Sequence, residues 1–237
     1  MHVHLPKPLH GWRAFVGEVG IIVLGVLIAL SAEQAISSLH DREQVRHGED
    51  SLRDNFGRFV RFTVELDSTQ PCLERRAAEL RSLIDRAALA RRLPGVGPIP
   101  EPPNRPWQID TYSAMVASQA ITHVPHDRAV LYSRISMSAI DVYEDAEAEW
   151  DEWGTLQSLT GPSRPFSEVE EAQTRATLAR AVHKDALMRR IADATVERIE
   201  STQLLDARAF DADVRQGRTD ASVSAMCEPI QIGQSDR

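Results

Sequence analysis

Between Val19 and Ala32 the chain carries 14 residues without a single charge. Such a run has to be kept from water, and that requirement limits what its beginning can become. As a helix, 14 residues reach about 21 Å, short of the roughly 30 Å hydrocarbon core of a bilayer. Extending the run back to Trp12 adds Phe15 and Val16 and gives 21 residues, a helix of about 31 Å. The pattern therefore predicts a transmembrane helix over 12–32 behind a short tail, 1–11. This reading places Glu18 roughly 9 Å inside one edge, where a carboxylate has to snorkel, take a proton or meet Arg13. Trp12 suits the interface. Gly25 and Ala29 form a small-xxx-small pair of the kind that lets two membrane helices approach, although such pairs are common by chance. Two rivals exist. Ala29-Leu30-Ser31 offers small residues for signal-peptide cleavage, against which Glu18 interrupts the apolar region and the helical pattern continues through Glu33-Gln34-Ala35-Ile36. The other is a buried helix of a soluble protein.

Charge gives the helix a direction. Lys7 and Arg13 precede the run, with no acid before Glu18. The 20 residues after Ala32 hold Glu33, Asp41, Glu43, Glu49 and Asp50 against Arg42 and Arg46. Positive residues stay inside, which predicts a cytoplasmic N-terminus and an exported remainder. The net charge is −8, and residues 1–32 contribute +1, leaving −9 on the rest. An acidic domain lacks the clustered Lys and Arg that phosphate contacts need, so no nucleic-acid partner is expected. Two cysteines, Cys72 and Cys227, are present. In an oxidising compartment they are expected to pair, two separate buried thiols being the alternative. A bridge would close about 155 residues and pin the tail 217–237, a constraint of roughly 4–5 kcal/mol on loop entropy alone.

Aromatics make up 5% of the chain, and Ala, Arg, Glu and Leu are plentiful, which favours helix over sheet. Leu52, Phe56, Phe59, Val60, Thr63 and Leu66 recur at helical spacing within a helix over 33–69. Asp67-Ser-Thr-Gln-Pro71 predicts a break, with Pro71 in the first turn of a second helix over 71–92, whose stripe is Leu73, Ala77, Leu80, Leu83, Ile84 and Ala87. Residues 93–106 hold six prolines in 14 positions and predict an extended surface loop. A short helix follows over 108–121. A long one over 126–158 has the expected stripe Val130, Ile135, Met137, Ile140, Tyr143, Ala146, Trp150 and Trp153. Ser167 is expected to cap a last helix reaching about 216, broken by Gly217, with Glu168, Glu170 and Glu171 near the positive end of its dipole. The fold class is thus all-α: one N-terminal transmembrane helix, then an elongated antiparallel helical bundle over 33–216.

No catalytic, cofactor or metal motif stands out. His123-Val-Pro-His126-Asp127 offers too few convergent ligands for a metal, and His126 or Asp127 is expected to cap the following helix. Glu144 to Glu152 carries six acids in nine positions, which reads as a solvated helix face. Trp107 and Tyr112 are expected to anchor the proline loop. His183-Lys184-Asp185 diverge in direction on a helix and form no cluster alone. His2, His4 and His10 belong to the tail. No Gly-rich phosphate loop, Gly-x-Ser-x-Gly or His-Glu-x-x-His sequence occurs.

The segments His4-Leu-Pro-Lys-Pro-Leu-His-Gly-Trp-Arg13, Gly17-Glu-Val-Gly-Ile-Ile-Val-Leu-Gly-Val-Leu-Ile-Ala-Leu30 and Ala32-Glu33-Gln34 resemble a family of proteobacterial single-pass inner-membrane proteins of uncharacterised activity. Ala117-Ser-Gln-Ala-Ile-Thr-His-Val-Pro125 is similar to its mid-chain signature. The resemblance implies the inner membrane of a Gram-negative cell and a periplasmic domain, and it supplies no catalytic residue. The expected function is a non-catalytic interaction or scaffold module whose partners are the bilayer and another protein or a second copy. A ligand-sensing bundle acting through a partner, and an enzyme with an unrecognised site, are the alternatives.

Overall fold

The computed structural model describes residues 11–103, 110–222 and 224–233, apart from the side chains of Arg13 and Ala14. The chain divides into two units, Met1–His47 and Gly48–Arg237. Helix α1 spans Trp12–Ala90 and is continuous from the first into the second. Then come a two-residue strand β1 (Arg92–Leu93), α2 (Thr111–Ala117), α3 (His126–Leu156), β2 (Arg164–Pro165), α4 (Glu168–Thr202) and α5 (Ala207–Ser222), with short 3₁₀ turns at Ala120–His123, Gln157–Leu159 and Ala225–Cys227. The chain is all-α apart from the antiparallel β1–β2 pair, in which Arg92 faces Pro165 and Leu93 faces Arg164.

In the first unit, α1 shows its apolar residues to the outside. Ile21, Ile22, Leu24, Val26, Leu27, Ile28 and Leu30 are each more than half exposed. The Ser31 hydroxyl donates to the Leu27 carbonyl at 2.7 Å, which satisfies a polar group within the helix itself. Trp12, Glu18, Gly25 and Ala29 are exposed. A Cβ built at Gly25 would meet nothing within 4 Å. The side chain of Arg13 and residues 1–10, including His2, His4 and His10, lie outside the described residues.

In the second unit α1 supplies the central face. Leu52, Phe56, Phe59, Val60, Thr63 and Leu66 are buried, and so are Leu73, Ala77, Leu80, Leu83, Ile84 and Ala87. A fully buried side chain of this size contributes about 1.5–3 kcal/mol. The break expected at 67–71 does not occur: Pro71 sits inside α1. Its missing N–H and its ring's clash with the preceding turn cost about 3 kcal/mol. Buried Leu66, Thr69 and Leu73 flank it, and their packing outweighs that penalty. The Thr69 hydroxyl also donates to the carbonyls of Glu65 and Leu66, at 2.9 and 3.0 Å.

Polar contacts give the directions of the other helices. Arg180 of α4 pairs with Glu152 of α3 at 2.8 Å, while Thr202 and Gln203 share a cavity with Asp127 and Arg128 at the opposite end. Thus α3 and α4 run antiparallel. Arg175 reaches Asp85 at 2.7 Å and Arg189 reaches Asp67 at 3.5 Å, so α4 also runs against α1. Helix α5 instead follows α1 in the same direction. Asp213 pairs with Arg61 at 2.8 Å, and further on Gly217 lies against the Arg61 carbonyl and Val64.

Gly217 therefore does not break a helix, as its sequence context suggested, but lies within α5. A Cβ there would strike the α1 backbone, so this close approach needs a glycine. The expected single last helix is two. Gln203 adopts a left-handed conformation at the end of α4, and the Asp206 carboxylate accepts from the Ala209 N–H at 2.8 Å to start α5. Ser167 caps α4 as expected, its hydroxyl accepting from the Glu170 N–H at 3.1 Å. His126 and Asp127 do not cap α3. Pro125 occupies the cap position with no side-chain bond, and Asp127 falls in the first turn.

The proline-rich stretch is only partly a surface loop. Leu93, Val96 and Ile99 are buried in the core, and Val96 bridges both Gly161 and Ile232 of the tail. Gln157 donates to the Ile99 carbonyl. Trp107, placed by expectation beside Tyr112, lies outside the described residues.

Candidate functional site

The expected stripe of α3 is wrong in its details, and the error bears on the site. Residues 135, 139, 142, 146, 149, 153 and 156 are the buried ones, joined by Tyr132 and Ser136. This is a clean alternation of four- and three-residue steps. Met137 and Trp150, both expected in the core, are exposed. The position that the spacing puts inside is Glu149, only 2% exposed. The acidic run is therefore not wholly a solvated face: one of its six carboxylates points into the protein.

Glu149 is held by its own helix and faced by another. One turn on, the Trp153 indole N–H donates to its Oε1 at 2.9 Å. Across the α3–α4 seam stands Asp185, itself buried. Asp185 is gripped by Arg189 one turn along α4, whose Nε lies 2.9 Å from both carboxylate oxygens. Arg189 also reaches Asp67 of α1 at 3.5 Å. A polar chain thus runs from buried Glu149 on α3 through buried Asp185 and Arg189 on α4 to the exposed Asp67 on α1, with three carboxylates and one guanidinium.

Its electrostatics follow from that count. No ion pair joins Glu149 to a cation among the described residues. Burial pushes its carboxyl up to about 8, the nearby Asp185 adds to the rise, and the Trp153 hydrogen bond with the charges of Arg189 and Lys184 opposes it. At neutral pH the group is mostly protonated. Asp67 is also raised, by burial first and then by Asp193, against the pull of Arg189. Above this chain the α1–α4 seam opens into a groove of about 380 Å³. Asp67, Gln70, Glu74 and Arg81 line it from α1, and Asp185, Arg189, Arg190 and Asp193 from α4. His183 lies further along the same seam, in a cavity that Arg175 also lines. Of the triplet His183-Lys184-Asp185, only Asp185 is buried.

A second polar cluster ties α3 to α1. Arg128 donates to the Tyr132 hydroxyl at 2.6 Å, and that hydroxyl donates to Glu49 at 3.0 Å. Arg128 pairs with Glu49 directly at 2.8 Å. Burial, then Glu49, raises the phenol to about 12, so it acts here as a neutral hydrogen-bonding group.

The third is a clamp on the tail. Cys72 and Cys227 form a disulfide across 155 residues. Arg75 donates to the Cys227 carbonyl at 2.7 Å, and buried Arg76 donates to the carbonyls of Met226 and Glu228. Met226 packs in the core with Leu73, Ala77 and Trp153. Beyond it, Gly97 donates to the Gln231 carbonyl and Gly233 to that of Gly95, each at 2.8 Å.

Among the described residues no group of three or more His, Cys, Asp or Glu could hold a metal ion. No family model, curated protein or solved structure matches the chain. Glu149 and Asp185 were missed by sequence reasoning. For Glu149 the signal was present in the spacing from Ile135 to Leu156, and the charge of the residue hid it.

Proposed function

We propose that this chain is a membrane-anchored, non-catalytic interaction module of the bacterial inner membrane. The helix over 12–32 is its anchor, the N-terminus is cytoplasmic, and an elongated helical bundle stands in the periplasm. The observation that carries the proposal is the apolar stretch of α1: the helix is long and apolar enough to cross a bilayer, and an apolar 18-residue window in it is not buried against anything. In water such a surface would drive aggregation. In lipid it needs no partner, because a helix satisfies its own backbone. The Cys72–Cys227 bridge supports an oxidising compartment, and the charge asymmetry around the run supports the direction. The N-terminal signature supports membership of the proteobacterial single-pass family it resembles.

The partner is a protein or a second copy of this chain. The buried acids make their bonds inside the protein, Asp185 with Arg189 and Glu149 with Trp153, which favours a binding role over chemistry. A second reading, ligand sensing through a partner, draws on the groove between Asp67, Glu74, Arg81 and Asp193. Its mixed charges suit a small zwitterion.

Fractionation and proteolysis of spheroplasts test the placement. The full chain is expected in the membrane fraction, and externally added protease is expected to digest the region after residue 33. Protection of that region would overturn the orientation, and recovery of the full chain as a soluble species would overturn the anchor. Crosslinking in intact membranes is expected to trap a defined partner or a dimer. Robust turnover of a small molecule, with no specific adduct, would defeat the non-catalytic reading.

A further inference from the structure

The polar chain between α3, α4 and α1 has a geometry that a purely structural contact does not need. A buried ion pair is stable when its charges balance and its hydrogen bonds are filled. Here Arg189 is the one cation inside the chain, and it is spent on Asp185 and Asp67. Glu149 is left buried on α3, three residues before the Glu152–Arg180 pair that joins α3 to α4, within electrostatic reach of buried Asp185 and with an indole as its hydrogen-bond donor.

The groups that act on Glu149 sit on α3 and α4, and those of α1 reach it only through Arg189. On α3 there are Trp153 and, on the next turn, Glu152, which Arg180 of α4 holds at 2.8 Å. From α4 there are Asp185, Arg189 and the partly exposed Lys184. From α1, Asp67 acts through Arg189, with Asp193 of α4 beside it and Gln70 and Glu74 along the groove. With Glu149 protonated, the chain Glu149–Asp185–Arg189–Asp67 carries one net negative charge. With Glu149 ionised it carries two, and its two buried carboxylates, Glu149 on α3 and Asp185 on α4, are then both charged. Like charges in a poorly solvated interior repel far more strongly than in water.

We propose that Glu149, Asp185, Arg189 and Asp67 form a proton-operated latch between α3 and the α1–α4 pair. Protonated Glu149 keeps the α3–α4 seam closed. Loss of its proton to water sets it against Asp185, and the seam opens around residues 149 and 185 so that the new charge reaches solvent. The latch goes beyond the anchoring and partner-binding reading and does not depend on it, since it needs only the second unit and a change of pH.

Trp153 is a built-in reporter, because its indole N–H donates to the titrating carboxylate. The experiment uses the full chain in detergent micelles, labelled with ¹⁵N-tryptophan, with the Trp153 indole signal assigned through W153F. Between pH 5 and 10 that signal is expected to titrate with a midpoint near 8, and in Glu149→Gln it is expected to stay put. If Glu149→Gln does not fold, Asp185→Asn serves instead, and its midpoint is expected to fall by about one pH unit or more because the like charge is gone. A signal that does not titrate, or that titrates unchanged in these variants, overturns the proposal. Spin labels at the exposed positions 151 and 187, introduced as Asp151→Cys and Leu187→Cys, read the seam. Their separation is expected to lengthen or broaden between pH 6 and 9 in the parent and not in Glu149→Gln. Titration of Trp153 with an unchanged distance would show a proton site without a latch, and would equally overturn the proposal.

Discussion

A glutamate carrying a proton at neutral pH changes how the stability of this domain responds to pH. Glu149 rises from an ordinary value of 4.5 to about 8, chiefly through burial. The folded state therefore binds more protons than the unfolded chain between those limits. Its contribution is fully present below about pH 4.5 and is lost progressively as pH climbs through 8. A shift of this size corresponds to roughly 3–5 kcal/mol at the alkaline side. Replacing Glu149 with Gln keeps an oxygen for the Trp153 N–H and removes the titration. Urea unfolding of the full chain in micelles at pH 5.5 and 8.5 is expected to show the parent losing stability between the two. The variant is expected to lose a few kcal/mol less over the same interval. Equal losses in both proteins would mean that Glu149 is already ionised in the folded state. The residue was legible in the spacing from Ile135 to Leu156 and hidden by its chemistry, because a stripe is sought among apolar side chains. No spacing rule could have shown that Asp185 would stand opposite it.

Among the elements, α1 carries the clearest disagreement between local preference and final structure. Asp67-Ser-Thr-Gln-Pro71 has the composition of a helix break, yet α1 runs through it. Proline forfeits one backbone bond, while the flanking turns bury Leu66, Thr69 and Leu73. Changing Pro71 to Ala is expected to restore that bond and raise stability by about 1–3 kcal/mol, read as a higher denaturant midpoint. A lower midpoint would show that the proline sets a bend on which the packing depends. Gly217 inverts the same lesson. It looks like a helix end and is instead the point where α5 meets the α1 backbone. In both places a long-range contact decided what the local residue does, and such contacts are not written in a window of neighbouring residues.

Across the whole second unit, the tail is secured to α1 by covalent and polar contacts together. The Arg53–Leu204 carbonyl contact spans 151 residues, the Arg61–Asp213 pair 152 and the disulfide 155, so α5 and the tail follow α1 almost residue for residue. The disulfide is expected to contribute about 4–5 kcal/mol by restricting the unfolded chain. Arg75 and Arg76 add hydrogen bonds to three tail carbonyls. Reducing the bridge, or changing Cys72 and Cys227 to Ala, is expected to lower the unfolding midpoint strongly. Limited proteolysis is then expected to cut first within 224–233. A midpoint unmoved by reductant would assign the tail's attachment to Met226 and the arginines alone.

The amino-acid sequence by itself determined the helical class, the apolar stretch of α1, the core stripe from Leu52 to Ala87, the cap at Ser167 and the pair of cysteines available for bridging. Each of these rests on spacing or local chemistry, which a linear chain displays directly. Tertiary structure decided that α1 passes through Pro71, that Gly217 is a contact and not an end, that Leu93, Val96 and Ile99 are core, and that Glu149 lies opposite Asp185. Each of those depends on which surfaces meet across more than 35 residues of chain, and there the burial of whole helix faces outweighs the preference of any single residue.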